Sequence, residues 1–248
     1  PFVQLLWEKG SAYEKEVIAG LDIPFLDLTP YSQEEKEIKT LEAIENKEPL
    51  IYRGRISADD LLGEPDLLRL EEDEYVAGDI KSGSGEEGGE DDPRPKKHYA
   101  VQLALYTDIL ERKGLSSKRE PFVWDIHGEE VTYELDELTG KKDPTTLWNI
   151  YQETLNEVRG IVNHSENSTP AYSSKCKLCH WKTECMKTLK NSDDLTLLPE
   201  LGRTKRDVLL NEIQTVDQLA STEVEQFIEG RRTIFRGIGI KTLEKFKA

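Results

Sequence analysis

The chain has 248 residues, which is enough for one large domain and a second, smaller one. Hydrophobic residues make up 36% of the chain and charged residues 33%, and no apolar run approaches the roughly 18 residues that a membrane span requires. Three closely spaced cysteines are too few for a disulfide framework, and the first ten residues do not resemble a secretory signal. We therefore expect a soluble, cytoplasmic protein with no membrane partner.

The formal net charge of -16 is unevenly distributed along the chain. Residues 191–248 contain ten acidic and nine basic residues, so nearly all of the acidic excess lies in the first 190 residues. Because a polyanion needs a local basic surface, a uniformly acidic protein would be a poor partner for nucleic acid. Two interpretations of the acidic part remain open: a solvated acidic surface, and carboxylates concentrated around a cation site.

The first half of the chain predicts helices and short strands in alternation. Apolar spacing and capping residues indicate helices over 1–19 and 32–47, and Ser32 with Glu35 has the pattern of a capping box. Strands are predicted at 50–52, within 61–70 around a turn at 63–65, and at 74–80. The glycine-rich, acidic segment 82–97 then predicts a loop or two paired strand ends.

The second half continues this alternation as far as residue 170, after which the sequence predicts a cysteine segment and short helices. A helix that ends at Gly114 is predicted over 98–113, followed by a hairpin with strands in 121–126 and 130–135 and a helix over 145–163. This order of elements predicts an α/β core. We expect three segments: a core at 1–170, a cysteine segment at 171–190 and a tail of short helices at 191–248.

Two short motifs place acidic residues at the ends of predicted strands. Asp79 and Lys81 are two residues apart, which puts both side chains on one face of the strand. If Asp66 lies on the neighbouring strand, two carboxylates and one ammonium group converge. Such oxygen ligands suit Mg²⁺ or Mn²⁺, which would activate a water for phosphodiester hydrolysis with Lys81 assisting. A surface ion pair at a strand end is the alternative interpretation.

The helix after the loop carries polar side chains at helical spacing. His98, Gln102 and Tyr106 recur every four residues and therefore share one face of the helix. An apolar stripe adjoins that face. Gln102 and Tyr106 are thus either boundary residues of the core or donors to a scissile phosphate beside the metal.

In their order and spacing these motifs resemble those of the PD-(D/E)XK nucleases, and of the RecB-like branch in particular. The resemblance is carried by Gly-x-x-Asp at 63–66, Asp-x-Lys at 79–81, Gln-Leu-x-x-Tyr at 102–106, and Gly10, Tyr13 and Glu14 on the first helix. It implies an α/β fold with a restriction-endonuclease-like mixed sheet flanked by helices. It also implies that Asp66 and Asp79 bind the metal, with Lys81 as the catalytic lysine. Glu14 would be a supporting acid, and Tyr13 stands near the place where many RecB-like enzymes carry a histidine ligand.

All three cysteines, Cys176, Cys179 and Cys185, lie within ten residues. Thiolates this close together suit an iron–sulfur cluster or zinc, and three unligated cysteines are the alternative. The segment resembles the end of the nuclease domain in AddAB-type helicase–nucleases and CRISPR-associated four-cysteine exonucleases, where a fourth cysteine precedes the first helix. This sequence has no such cysteine. We expect an iron–sulfur cluster in the intact protein, with a zinc site completed by His180 as the other interpretation.

The tail contains two glycine turns, each followed by a helix with basic residues. Such turns bind phosphate through backbone amides at the helix N-terminus. They resemble helix-hairpin-helix motifs, which hold DNA by its backbone without reading its sequence. The resemblance implies a small all-α DNA-binding domain that uses Gly202, Lys205, Arg206, Arg236, Gly237, Gly239 and Lys241. Helical hairpins that serve only protein contacts are the alternative.

These observations predict a metal-dependent deoxyribonuclease with exonuclease-like action in DNA repair or recombination. Its partners would be DNA, bound without sequence specificity, and a helicase or another repair protein. Two other classes remain open. A non-catalytic DNA-binding module would hold Asp66 and Asp79 too far apart to share a cation. An interaction scaffold would bind a protein partner through its acidic surface and hold structural zinc.

Overall fold

The computed structural model describes residues 2–89, 93–140 and 144–247. The chain divides into two units, residues 1–166 and 167–248. The second unit contains both the cysteine segment and the tail helices, and the finer division into three segments stays a prediction. Across the described part of the chain, every helix is too short or too polar to cross a membrane.

The first unit combines long helices with short strands. Its helices are α1 (Phe2–Ala19), α2 (Gln33–Glu45), α3 (Lys97–Arg112) and α4 (Leu147–Val162). Its strands are β1 (Leu26–Asp27), β2 (Leu50–Tyr52), β3 (Ile56–Ala58), β4 (Leu61–Gly63), β5 (Leu67–Glu71), β6 (Glu74–Ile80), β7 (Glu86–Glu87), β8 (Arg94–Pro95), β9 (Phe122–Trp124), β10 (Glu130–Thr132), β11 (Leu138–Thr139) and β12 (Thr145–Thr146).

Six of these strands form one mixed sheet in the order β1-β2-β5-β6-β9-β10. The pairs β1–β2 and β6–β9 are parallel, and the other neighbours are antiparallel. In the β5–β6 ladder Leu67 pairs with Gly78, so Asp66, one residue before β5, comes opposite Asp79. The predicted α/β core with a mixed sheet and flanking helices is confirmed.

Both faces of this sheet are buried, and neighbouring residues on each strand belong to different clusters. One cluster contains Ile51, Leu68, Ala77 and Val123 together with residues of α3 and α4. The other contains Leu50, Leu67, Val76 and Phe122 together with Ile18 of α1. Because side chains alternate along a strand, the short apolar runs that the sequence shows supply both layers of the core.

Local sequence signals explain where several elements begin and end. The capping box at α2 is present: the Ser32 hydroxyl accepts from the Glu35 amide, and the Glu35 carboxylate accepts from the Ser32 amide. Gly114 follows α3 with a φ of 68°, the left-handed conformation that favours glycine. The helix predicted from residue 145 begins at Leu147 instead, because Thr145 pairs with Thr139 and Thr146 is the N-cap.

The segment predicted as a loop or paired strand ends contains the antiparallel pair β7–β8. The Lys96 ammonium donates to the Ser84 carbonyl at 2.8 Å, which closes the base of this segment. Residues 90–92, at its tip, lie outside the described residues.

The second unit has its own apolar core of ten buried residues, among them Leu195, Leu209 and Leu243. Its helices are α5 (Lys182–Asn191), α6 (Gly202–Leu209), α7 (Val216–Ser221) and α8 (Ile240–Lys247), with 3-10 turns at Ser174–Leu178, Leu195–Leu197 and Val224–Phe227. The expectation of an all-α tail is wrong in one respect, because β13 (Ile228–Glu229) and β14 (Arg232–Thr233) form a hairpin. Gly230 supplies the positive φ, 62°, that the hairpin turn uses.

Candidate active site

The register between β5 and β6 brings Asp66 and Asp79 together below the surface. Asp79 is 2% exposed and Asp66 is 8% exposed. Asp66 Oδ2 accepts a hydrogen bond from the Ile80 amide at 2.9 Å. Asp79 Oδ2 forms an ion pair with the Lys81 ammonium, but no group of the described residues reaches it in hydrogen-bond geometry. A buried acceptor left in this state indicates a site for a ligand or an ion.

The electrostatic surroundings of Asp66 are unfavourable to its charge. Burial, followed by the charge of Asp79, raises the pKa of Asp66 to about 7, although the Ile80 amide and Arg53 act in the opposite direction. A divalent cation between the two carboxylates would remove this penalty, because it favours the ionised form of both.

A chain of hydrogen bonds runs from Lys81 into α3. The Lys81 ammonium donates to Gln102 Oε1 at 3.1 Å, and Gln102 Nε2 donates to the Tyr106 hydroxyl at 2.8 Å. The hydroxyl in turn donates to the backbone carbonyl of Glu64 at 3.4 Å. Burial and the charge of Asp79 raise the pKa of Tyr106 above its ordinary value, so the hydroxyl keeps its proton. The structure thus brings the predicted Lys81, Gln102 and Tyr106 together with Asp79.

Two glycines allow the close approaches on which this arrangement depends. A Cβ on Gly63 would lie 2.6 Å from Tyr106 Cδ1, so only glycine lets α3 pack this near the turn that leads to Asp66. Gly78 lies on β6, the strand that carries Asp79. A Cβ on Gly78 would lie 2.3 Å from Phe122 Cζ. Close packing against Tyr106 and Phe122 therefore explains why glycine occupies both motif positions.

Sequence reasoning missed Arg53 and Tyr52, which engage Glu14. Glu14 is buried, and its carboxylate accepts from the Tyr52 hydroxyl at 2.8 Å and from Arg53 Nε at 2.6 Å. Arg53 Nη2 donates to the other Glu14 oxygen, while Arg53 Nη1 lies 3.4 Å from Asp66 Oδ1. A signal did exist in the sequence, because Arg53 and Arg55 are the only basic residues between positions 48 and 68 and directly follow an apolar strand.

Two further tyrosines contact groups near the strand ends. The Tyr99 ring has the Lys81 ammonium 5.2 Å from its centroid and the Lys96 ammonium at 5.3 Å. Tyr13, near the place where the resemblance puts a histidine ligand, donates its hydroxyl to the Asp125 carbonyl. Tyr13 therefore joins α1 to the end of β9, and the sequence did not single out Tyr99.

The donor set suits a hard divalent cation. Over residues 2–89, 93–140 and 144–247, no three His, Cys, Asp or Glu side chains are grouped so that they could hold a metal. Two carboxylates are nevertheless sufficient for Mg²⁺, which retains several waters when it binds. The unbonded Asp79 oxygen and the neighbouring Asp66 carboxylate therefore fit Mg²⁺ or Mn²⁺.

The three cysteines line one cavity of about 170 Å³ in the second unit. Cys179 is exposed, whereas Cys176 and Cys185 are half-buried. Cys176 Sγ accepts from the Ser173 amide at 3.4 Å, and the His180 ring packs against Trp181. As placed, the three thiols do not form a group that could hold a metal ion within the described residues, so a cluster would require them to move closer together as well as a fourth ligand.

The tail residues predicted to contact DNA fall into two groups. Arg206 is 3% exposed and donates to the Pro170 carbonyl at 2.6 Å, and Lys205 donates to the Glu200 carbonyl at 2.8 Å. Gly202 begins α6. In contrast, Arg236, Gly237 and Gly239 line a depression of about 430 Å³ that also contains Arg231 and Arg232. Lys241 is exposed on the first turn of α8. The second glycine turn therefore gathers exposed basic side chains, and the first does not.

Replacing Asp66 with Asn should stabilise the metal-free protein at about pH 8 by roughly 1–4 kcal/mol, with a Tm increase of about 2–4 °C for each kcal/mol. Native Asp66 holds its proton up to a pKa of about 7, whereas an unfolded aspartate releases it near 3.9. The native state therefore binds more protons in that interval, and its stability falls as the pH rises through it. The gain should shrink at about pH 5, where Asp66 is protonated.

Thermal melting at both pH values measures this effect. Asp73→Asn, at an exposed residue paired with Lys47, is the control and should lack the gain at high pH. Equal Tm changes for Asp66→Asn at both pH values would contradict the electrostatic account.

Comparison with known families agrees with this geometry. The profile of the PD-(D/E)XK nuclease superfamily matches residues 12–186, more than two thirds of the chain. That range includes Glu14, Asp66, Asp79, Lys81 and the three cysteines. No curated protein gives a significant match. Members of this superfamily are generally metal-dependent phosphodiester hydrolases, and the chain belongs to the PD-(D/E)XK nuclease superfamily.

Proposed function

We propose that the first unit is a Mg²⁺- or Mn²⁺-dependent deoxyribonuclease, with exonuclease-like action in DNA repair or recombination. The observation that carries this proposal is the buried Asp66–Asp79 pair, in which Asp79 Oδ2 is ion-paired with Lys81 but has no partner in hydrogen-bond geometry among the described residues. Membership of the superfamily supports metal-dependent nuclease chemistry in general. The resemblance to the RecB-like branch supports the finer assignment and a helicase or another repair protein as a partner.

In the proposed mechanism Asp66 and Asp79 hold the cation. When bound, the cation lowers the pKa of a water and neutralises charge on the phosphate. Lys81 orients the attacking water and stabilises the negative charge that develops on the phosphate oxygens. The attacking water loses a proton to solvent as its oxygen forms a bond to phosphorus, the bond to the leaving oxygen breaks, and the leaving oxygen takes up a proton from solvent.

Gln102 and Tyr106 have a positioning role in this mechanism. The amide oxygen of Gln102 accepts from Lys81, and its amide nitrogen donates to Tyr106. Because α3 is a rigid element, this chain fixes the Lys81 ammonium relative to Asp79. The two residues thus act on the scissile phosphate through Lys81.

Cleavage of labelled single-stranded and duplex DNA with Mg²⁺ or Mn²⁺ tests the proposal. We expect Asp79→Ala to abolish cleavage, and Lys81→Ala to lower its rate by about 10²–10³-fold, as loss of a positioned donor does in other active sites. Asp73→Ala and Lys47→Ala are matched controls, because these residues form an exposed acid–lysine ion pair elsewhere in the same unit. Both controls should cleave at the wild-type rate.

DNA binding without cleavage by the folded wild-type protein would favour the non-catalytic DNA-binding module. Neither binding nor cleavage, together with stoichiometric zinc, would favour the interaction scaffold.

We also propose that the tail is a helix-hairpin-helix domain and that it binds the DNA backbone at its second glycine turn. Arg231, Arg232 and Arg236 are exposed and line one depression with Gly237 and Gly239. Within the described part of the chain, none of the three arginines pairs with a carboxylate. Arg206 is excluded from this surface, because its guanidinium is buried and bonded within the unit.

The triple variant Arg231→Ala, Arg232→Ala, Arg236→Ala should bind DNA more weakly, because each arginine would neutralise a phosphate. The dependence of log affinity on log salt should flatten by about 0.7–0.9 for each phosphate that the variant no longer neutralises. A triple lysine variant of the same unit, at Lys187, Lys245 and Lys247, removes equal charge from residues that already pair with carboxylates. Equal reductions in affinity for both triple variants would point to net charge alone and contradict a specific surface.

We propose finally that Cys176, Cys179 and Cys185 hold an iron–sulfur cluster once a fourth ligand is supplied. The support is their common cavity and their spacing. Reconstitution with iron, sulfide and a small exogenous thiol should give stoichiometric iron and visible cluster absorption, which Cys185→Ser should lose. Stoichiometric zinc without visible absorption would instead support a zinc site.

A further inference from the structure

The Arg53 guanidinium connects two carboxylates that the sequence assigned to different roles. Its Nε and Nη2 groups donate hydrogen bonds to the two oxygens of Glu14, which makes a bidentate ion pair. Its third nitrogen, Nη1, lies 3.4 Å from Asp66 Oδ1. The guanidinium therefore stands beside one of the two carboxylates that fit a divalent cation.

The backbone at Arg53 is held in an uncommon conformation. Its φ is 59°, in the left-handed region that few residues other than glycine adopt. The Arg53 amide donates to the Asp66 carbonyl at 2.8 Å, which extends the β2–β5 pairing up to this residue. Conformations of this kind persist where surrounding contacts determine them, and they are concentrated at functional sites.

The hydrogen-bond capacity of the two side chains differs. The Glu14 carboxylate already accepts three hydrogen bonds, from Tyr52 and twice from Arg53. Arg53 has five N–H groups, and among the described residues the ion-pair contact of Nη1 is the 3.4 Å approach to Asp66 Oδ1. Glu14 thus has three of its about four acceptor sites filled, whereas Arg53 retains donors on the side of Asp66.

The charges around Arg53 and Glu14 determine what Arg53 can contact after a cation binds to Asp66 and Asp79. With all three carboxylates ionised, as a bound cation would require, Glu14, Asp66 and Asp79 face two cationic groups, Arg53 and Lys81, and these protein groups carry one net negative charge. A divalent cation on Asp66 and Asp79 would change this to one net positive charge. Since like charges repel at short range, Arg53 beside that cation requires an anion between them.

We propose that Arg53 binds a non-bridging phosphate oxygen of the nucleic-acid substrate, and that Glu14 positions Arg53 instead of binding the metal. This inference rests on the proposed nuclease function and names the group that holds its phosphate. The Arg53 Nη1 donors leave Asp66 for the phosphate when the cation takes the Asp66 carboxylate. Glu14 and Tyr52 hold the guanidinium in place throughout.

Two measurements on the same variants test this proposal. The first is Mn²⁺ affinity by calorimetry. The second is binding of a short fluorescent oligonucleotide, with Ca²⁺ in place of Mg²⁺, in the background of the triple arginine tail variant so that the tail does not mask the site. The variants are Arg53→Met, Arg53→Lys, Glu14→Gln and the double variant Glu14→Gln with Arg53→Met, which does not leave the buried Glu14 carboxylate without its cationic partner.

Arg53→Met and the double variant should lose oligonucleotide affinity by about tenfold or more, the loss expected for a charged hydrogen bond. Arg53→Lys should recover only part of it, because an ammonium lacks the guanidinium fork. Glu14→Gln should weaken oligonucleotide binding in the same direction. Mn²⁺ affinity should remain undiminished in all four variants. Arg69→Met is the matched control, because Arg69 pairs with Glu71 and Glu130 on the same sheet, and should change neither affinity.

Two results would overturn the proposal. A loss of Mn²⁺ affinity in Glu14→Gln would make Glu14 a metal ligand, and full oligonucleotide affinity in a folded double variant would leave Arg53 without a role in binding. Both results require that the wild-type protein binds Mn²⁺, so they are distinguishable from failure of the nuclease proposal itself. If the nuclease proposal itself failed, the wild-type protein would bind no Mn²⁺, and both proposals would be contradicted.

Discussion

Charges of the same sign repel strongly away from water, and the first unit places the carboxylates of Asp66 and Asp79 side by side below its surface. The antiparallel register of β5 and β6 makes this juxtaposition unavoidable, because Leu67 pairs with Gly78. Lys81 and Arg53 each supply one compensating charge, and the Ile80 amide supplies one hydrogen bond. Asp79 Oδ2 still has no partner in hydrogen-bond geometry among the described residues, apart from its ion pair with Lys81. The fold therefore maintains a site that a cation would complete.

Two helices hold the compensating cations in place. Gln102 and Tyr106 on α3 fix the Lys81 ammonium, and Gly63 lets that helix approach the turn before Asp66. Glu14 on α1 fixes the Arg53 guanidinium. Each cation thus depends on a helix distant in sequence from the strands that carry the carboxylates. The residues of the site are therefore spread from α1 to α3, all within the range that the superfamily profile matches.

Much of this arrangement was predictable from local patterns. The period of apolar residues gave α1, the 74–80 strand and α3 within one residue, and Asp-x-Lys at the strand end placed Asp79 and Lys81 on one face. The partner of Glu14 was not predictable in this way, because it depends on a left-handed residue after β2 and on strand order. The burial of Arg206 and the β13–β14 hairpin likewise depend on packing within the second unit, which helical spacing does not encode.

The most direct test of the account is a titration with Mn²⁺, followed by the electron paramagnetic resonance signal of the free ion. The wild-type protein should remove Mn²⁺ from solution at a site that Asp79→Asn and Asp66→Asn each abolish, while Asp125→Asn, at an equally buried aspartate bonded to three backbone amides, retains it. Wild-type protein that leaves the free signal unchanged, or aspartate variants that bind as the wild type does, would contradict the claim that this carboxylate pair is a metal site.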